Sequence, residues 1–209
     1  ATRLPLVCPN VGYRYFPKMQ PWEVAIIERY VQQLPRDARV LEWGAGRSTV
    51  YFAPLLAGEW HAIEHDADWY TVARQWCREW PHVMVYHVPV SQPFTDWESD
   101  GTLAQFAAYL RYPQRLGQFN LVLIDGRCRA GCLATVPTLL SLDGVVVLHD
   151  AERHEYQAAL AGDLMPTGKP DFDNVVKAAS DSLNGIVWKD DAQIINASAS
   201  RRPTSAIVL

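Results

Sequence analysis

Apolar residues in this chain follow two alternating rhythms, and the alternation predicts its architecture. From Pro21 to Leu34 the positions Trp22, Val24, Ile26, Ile27, Tyr30, Val31 and Leu34 fall at helical spacing, with Pro21 suited to a first turn. Short apolar runs of strand length follow at Val40-Leu41-Glu42, Trp60 to Glu64, His82 to Val88, Phe119 to Asp125 and Gly144 to Asp150. Helical stretches separate them. Val50 to Leu56 is interrupted by Pro54 and closed at Gly58, and Asp66 to Trp80 carries Trp69, Ala73, Trp76 and Trp80 along one face. Thr102 to Tyr112 and Gly131 to Leu142 complete the set. The four consecutive aliphatics in Phe119-Asn120-Leu121-Val122-Leu123-Ile124-Asp125 are the strongest signal of a strand buried on both faces. Strand and helix alternating through short connections predict an α/β, doubly wound, mostly parallel sheet with right-handed crossovers.

The residues that end these runs are where chemistry is expected. Ligands of open parallel sheets bind outside the carboxyl ends of the strands, and polar groups stand there at Glu42, Glu64, Asp125, His149 and Asp150. After Glu42 the chain passes through Gly44-Ala45-Gly46 into Ser48 and Thr49, a tight turn leading into a helix. Glycines let such a turn approach a ligand, and the helix amides behind it favour electronegative groups. A dinucleotide turn wants a third glycine at position 49, but Thr49 stands there, and an acid is already present at Glu42. Glu64, eighteen residues past Gly46, is placed to accept hydrogen bonds from two ribose hydroxyls, the bland alternative being a surface carboxylate. The tryptophan stripe reads as packing rather than as an aromatic box for a cofactor. Residues 89–91, after the third strand, are expected to meet an adenine.

Composition narrows the picture. With 209 residues and 49% hydrophobic content, the chain can bury a core as one domain or as one domain with an appendage. A net charge of -4 provides no general basic footprint for nucleic acid. No long apolar run predicts a leader or a membrane span, so a cytoplasmic protein is expected. The four cysteines, at 8, 77, 128 and 132, form no Cys-x-x-Cys and suit a reduced compartment without a zinc site.

Taken in order, Leu41-Glu42-Trp43-Gly44-Ala45-Gly46-Arg47-Ser48-Thr49, Ile63-Glu64-His65-Asp66, Leu123-Ile124-Asp125-Gly126-Arg127 and Leu148-His149-Asp150 resemble the class I S-adenosylmethionine (SAM) methyltransferases. The nearest likeness is to small bacterial members with an Ile-Asp-Gly-Arg motif, and it spans residues 20–160. The resemblance implies a Rossmann-like fold and a methyl donor held by Glu42, Gly44, Ala45, Gly46, Ser48, Glu64 and His65. It also implies a small-molecule or sugar-like oxygen acceptor above Asp125 and His149. His149 is then a candidate general base, since its ordinary pKa lies near neutrality. Alternatively, Asp125 and Asp150 hold a divalent cation such as Mg²⁺ that acidifies the acceptor. Asp150 is equally suited to capping a helix, and Arg127 to clamping an anionic acceptor or to forming an ion pair.

The C-terminal stretch follows another pattern. Pro170-Asp171-Phe172-Asp173-Asn174, Lys177, Asp181, Leu183-Asn184-Gly185 and Asp190-Asp191-Ala192-Gln193 resemble the core motif of RusA-type Holliday junction resolvases. In that family the aspartates matching Asp171, Asp173 and Asp191 bind Mg²⁺ for phosphodiester hydrolysis, Lys177 supports the site, and junction DNA is cut by a dimer. Residues 168–209 hold five basic and five acidic side chains, poor provision for a polyanion. The expected organisation is therefore a lead-in over 1–20, a SAM-binding domain over 21–161 and a resolvase-like segment over 162–209 packed on the same domain. In that segment, 171–183 is expected as a helix, with 186–199 and 204–209 supplying two further strands as a hairpin. Methyl transfer is the leading expectation; a Mg²⁺-dependent junction nuclease and a silent nucleotide-binding domain remain beside it, and a homodimer stays open as an assembly.

Overall fold

In the computed structural model, residues 16–96 and 98–151 are described with their side chains, and 197–199 and 202–208 as backbone. The elements run α1 (Pro21–Gln33), β1 (Arg39–Trp43), α2 (Arg47–Phe52), β2 (Glu59–Glu64), α3 (Ala67–Trp76), β3 (Val83–His87), α4 (Ala107–Arg111), β4 (Phe119–Ile124), α5 (Arg129–Thr135), β5 (Leu140–Leu148), β6 (Ala197–Ala199) and β7 (Arg202–Val208). The described strands form one seven-stranded sheet in the order β3-β2-β1-β4-β5-β7-β6. Pairing is parallel from β3 through β5 and on to β7, and antiparallel only between β7 and the edge strand β6. The order reverses between β1 and β4, and that switch point is where a ligand crevice forms in such a sheet.

The period-two alternation of the strands sends neighbouring residues into separate cores on the two faces. Leu41, Trp43, Ile63, Phe106, Tyr109, Val122 and Ile124 belong to one. Val40, Trp60, Ala62, Leu121, Leu123 and Val147 belong to the other, beneath Val24, Ile27 and Val31 of α1. Both faces of the central strands are covered, which accounts for the continuous apolar run in β4.

Two boundaries depart from the sequence reading. The helix expected through Leu142 ends much earlier: Pro137 sits in a single tight turn, Val136–Thr138, and β5 begins at Leu140. Proline has no N–H to continue the helical ladder, so the leucines after it join the sheet. The early part of β5 is irregular, because Phe119 pairs with Leu140 but Leu121 with Val145, and Asp143 takes a φ of 65° in the interruption. At the other end of the helix, Cys128 adopts φ 52° as N-cap, so α5 starts before the expected Gly131. The C-terminal pair β6 and β7 forms an antiparallel hairpin on the far side of β5. The helix expected over 171–183 lies outside the described residues.

Candidate functional site

Backbone bonds continue the sheet beyond its strands and bring the expected residues side by side. The Gly44 amide donates to the Ile63 carbonyl at 2.9 Å, Asp125 to Trp43 at 2.9 Å and His149 to Ile124 at 3.1 Å. These groups therefore stand in a row at the carboxyl ends of β1, β4 and β5. Around them opens a crevice of about 790 Å³, walled by the turn 44–48, by 64–66 with Trp69, by 125–127 with Arg129, by 149–150, and by Lys18 from the segment ahead of α1. Its size is that of an ordinary small-molecule site.

The first half of the site is the glycine turn. Glu42, facing inward from β1, is fully buried and receives Ser48 Oγ at 2.5 Å, Thr49 Oγ1 at 2.6 Å and Trp60 Nε1 at 2.8 Å. Burial pushes its carboxyl up to about 7 even though these three donors pull it down. Thr49 in turn accepts the Gly46 amide at 2.8 Å, so Glu42 fastens the strand, the turn and the first turn of α2 together. Glu42 does not line the crevice, and its expected contact with a cofactor becomes support of the turn from beneath. The two glycines differ in kind. Gly44 has φ 97°, and a Cβ there would lie 2.6 Å from the Cα of Gly126, so a tight backbone contact requires glycine. Gly46 has an extended φ near 180°, and a Cβ would meet only the Trp69 indole at 3.4 Å.

Trp69 is a residue that the sequence reading assigned to packing. Its indole Nε1 donates to the Ala45 carbonyl at 2.6 Å and its ring forms part of the crevice wall. Asp66 caps α3 by accepting the Trp69 amide at 2.7 Å. Glu64 is buried, and its Oε1 accepts the amides of His65 and Asp66 at 2.8 and 2.9 Å, with His65 Nδ1 also 2.9 Å away. The carboxylate is thus fixed at the end of β2. His65 turns its ring edge-on to Phe106 and Tyr109. Residues 89–91, expected near an adenine, do not line the crevice; Ser91 instead bonds Gln105 and Ala108.

The second half is a network of charges. His149 Nδ1 lies 2.7 Å from Asp125 Oδ1, while its Nε2 is 3.4 Å from Glu23 Oε2 on α1 and 3.5 Å from Asp150 Oδ1. Burial alone lowers the pKa of this imidazole, but the bond to Asp125 and the charges of Asp125, Asp150 and Glu23 outweigh it and raise the pKa above 6.5. Arg129, only 7% exposed, is the residue that the sequence did not reveal. Its guanidinium reaches the carbonyls of Gly126 and His149, Asp150 Oδ2 at 3.2 Å and Asp125 Oδ1 at 3.4 Å. It ties the ends of β4 and β5 together. A fixed cation already answers both aspartates, so this pair does not have the character of a divalent-metal site. Among the described residues, no group of three or more potential ligands is arranged to hold a metal ion.

Arg127, expected as an anion clamp, lines the crevice but also donates to the Ser99 carbonyl at 3.1 Å, with its guanidinium 6.0 Å from the Phe94 ring. Asp150 takes φ 56°. The candidate metal ligands Asp171, Asp173 and Asp191 lie outside the described residues. No helix among the described residues is long and apolar enough to cross a membrane.

Comparison with known proteins divides along the chain. The model of the family described as Endodeoxyribonuclease RusA matches residues 138–207. Protein YqaN of Bacillus subtilis (strain 168) is 27% identical over 122 residues, which are 56% of this chain and 83% of that protein. Among solved structures, a methyltransferase-like protein from Silicibacter pomeroyi DSS-3 superimposes with a TM-score of 0.53 at 23% identity, covering 69% of this chain and 78% of that one. Precorrin 8w decarboxylase from Methanobacterium thermoautotrophicum reaches 0.50 at 10% identity, covering 74% and 77%. The fold is the Rossmann-like fold of class I methyltransferases, carrying a C-terminal segment similar to RusA.

Proposed function

We propose that this chain is a SAM-dependent methyltransferase acting on a small oxygen-bearing acceptor. The observation that carries the reading is the meeting of three parts around one crevice: the Gly44–Gly46 turn, the fixed Glu64 carboxylate and the Asp125–His149 pair. The crevice suits such a donor chemically. Backbone of the turn faces it without side chains at 44 and 46, Glu64 offers acceptor oxygens for vicinal hydroxyls, and the Trp69 ring supplies an apolar wall. When bound, SAM supplies a methyl group activated on a sulfonium, and alignment is then the main task left to the protein. Gly44, Ala45, Gly46 and Glu64 would hold the donor, with Glu42 and Ser48 keeping the turn in shape. His65 lines the same crevice with its Nδ1 2.9 Å from the Glu64 carboxylate.

On the acceptor side Asp125 holds Nδ1 of His149, which leaves Nε2 as the nitrogen to take a hydroxyl proton. The three neighbouring carboxylates stabilise the imidazolium that results. Arg129 keeps the two strand ends in register and neutralises Asp125 and Asp150. Calorimetric titration with SAM and S-adenosylhomocysteine tests the reading. Micromolar binding, weakened at least about tenfold by Glu64→Ala through loss of charged hydrogen bonds, is the expected result. No binding to a folded chain would sink it.

A second reading rests on the match of residues 138–207 to RusA. In it Asp171, Asp173 and Asp191 hold Mg²⁺ for cleavage of junction DNA. Replacing Asp171 and Asp173 by Asn should then abolish Mg²⁺-dependent cleavage while SAM affinity stays intact. Binding of donor without methyl transfer to any acceptor would favour a silent nucleotide-binding domain.

A further inference from the structure

The charges around the crevice are not equally committed. Each of its four carboxylates already answers donors of the protein: Glu64 takes the amides of His65 and Asp66, Asp66 takes the amide of Trp69, Asp125 faces His149 and Arg129, and Asp150 faces Arg129. Arg129 is spent on the strand ends and Arg127 reaches the Ser99 carbonyl. Lys18 and Arg47 stand apart. Both line the crevice, both are exposed, and neither makes an ion pair or hydrogen bond among the described residues.

They also come from places that the fold holds firmly. Arg47 is the first residue of α2, directly after the turn that Glu42, Ser48 and Thr49 fasten. Lys18 precedes α1, whose first turn is closed by the Gln20 amide on Glu23, and Glu23 in turn reaches His149 across the site at 3.4 Å. Two cations from separate, anchored elements thus face one concavity in a chain whose net charge is -4. A cleft concentrates the field of charges at its mouth and draws in ligands of opposite sign.

We propose that Lys18 and Arg47 form the anion-recognition pair of this crevice, taking a carboxylate or phosphate group of its ligand. The inference deepens the methyl-transfer reading and rests on it. The anion is either the amino-acid carboxylate of the methyl donor or an acidic group of the acceptor, and both chemistries engage the same pair.

The test uses the full chain and three probes at low salt. These are S-adenosylhomocysteine, 5′-methylthioadenosine, which lacks the amino-acid carboxylate, and inorganic phosphate added to protein saturated with methylthioadenosine. The double variant Lys18→Gln, Arg47→Gln should bind methylthioadenosine like the parent, which also reports an intact fold. It should lose about tenfold in affinity for one of the two anionic probes, the scale expected for two exposed charges. Loss confined to S-adenosylhomocysteine assigns the pair to the donor's carboxylate; loss confined to phosphate assigns it to the acceptor. Arg47→Lys together with native Lys18 should restore most of the affinity. Equal binding of both anions by the double variant and the parent overturns the proposal, as does an equal loss for methylthioadenosine. If the parent binds neither nucleoside, the methyl-transfer reading fails, and phosphate titrated into the unliganded parent and double variant still decides the anion pair.

Discussion

The two halves of the crevice are built on opposite principles. Around the glycine turn, position is set by hydrogen bonds to one fully buried carboxyl and by a backbone contact that only glycine permits. At the ends of β4 and β5, position is set by charges: two aspartates, a glutamate from α1, a histidine and an arginine. A half made of satisfied, dry hydrogen bonds holds one geometry. A half made of coupled charges holds its geometry too, but its protonation follows the solution, which is what proton transfer requires.

The contrast is broken most severely at Glu42. Glu42→Ala would leave Ser48, Thr49 and the Trp60 indole without their buried acceptor, and a loss of about 4 kcal/mol in chemical denaturation is expected. The parent protein should show the signature of this carboxyl as well. Its pKa rises from 4.5 to about 7 on folding, so its contribution to stability is full below about 4.5 and is lost as the pH climbs through about 7. The size is about 3 kcal/mol. Stability that holds steady over this window in Glu42→Gln but not in the parent would identify the group.

Next in size, Gly44→Ala forces a side chain onto Gly126 at positive φ and should cost about 2 to 3 kcal/mol, whereas Gly46→Ala, with extended backbone, should cost less than about 1. Gly46→Ala is therefore the cleaner probe of donor binding, and equal costs at the two positions would refute the distinction. Arg129→Met should cost about 2 kcal/mol by removing the cation that Asp125 and Asp150 share, with a larger effect on turnover than on donor affinity. The measurement is kcat beside the S-adenosylhomocysteine Kd.

The smallest effect sharpens the comparison most. Carboxylates raise the pKa of His149, so its imidazolium adds stability in full below 6.5, and this is lost as the pH rises through the raised value. A general base must be neutral, so turnover should increase over the same interval. Glu23→Gln removes one of the raising charges and should move the activity profile to lower pH. A profile that stays fixed would remove Glu23 and His149 from proton transfer.

Much of this was legible in the sequence because it depends on local pattern. The five apolar runs located β1 to β5, and the polar residues that follow β2, β4 and β5 stand together at the carboxyl ends of those strands. What stayed hidden depends on distance in the chain or on a residue with two uses. Arg129 lies ahead of the helix start expected at Gly131, and in the structure it opens α5 behind Cys128 in the left-handed region, with its guanidinium on the ends of β4 and β5. Trp69 packs against Trp76 as its helical spacing suggests, yet its polar edge holds Ala45. Glu42 carried the right motif but faces inward, because the alternation of β1 sends it to the side of Trp60. Lys18 and Glu23 belong to a stretch whose sequence bears no sign of the strand ends it meets.

The pairing of β5 has a consequence for how the chain can be made. Along one side β5 meets β4, and along the other, among the described residues, it is paired by β7 at 202–208. A nascent chain that has just emerged as far as residue 151 therefore carries the central aliphatic strand Val145-Val146-Val147-Leu148 as an open edge, ready to stick to a neighbour. The residues of β7 follow later in synthesis and close that edge. Ribosomes stalled or messages cut before the codon for Arg202 should yield a product that accumulates as aggregate, whatever chemistry the segment performs.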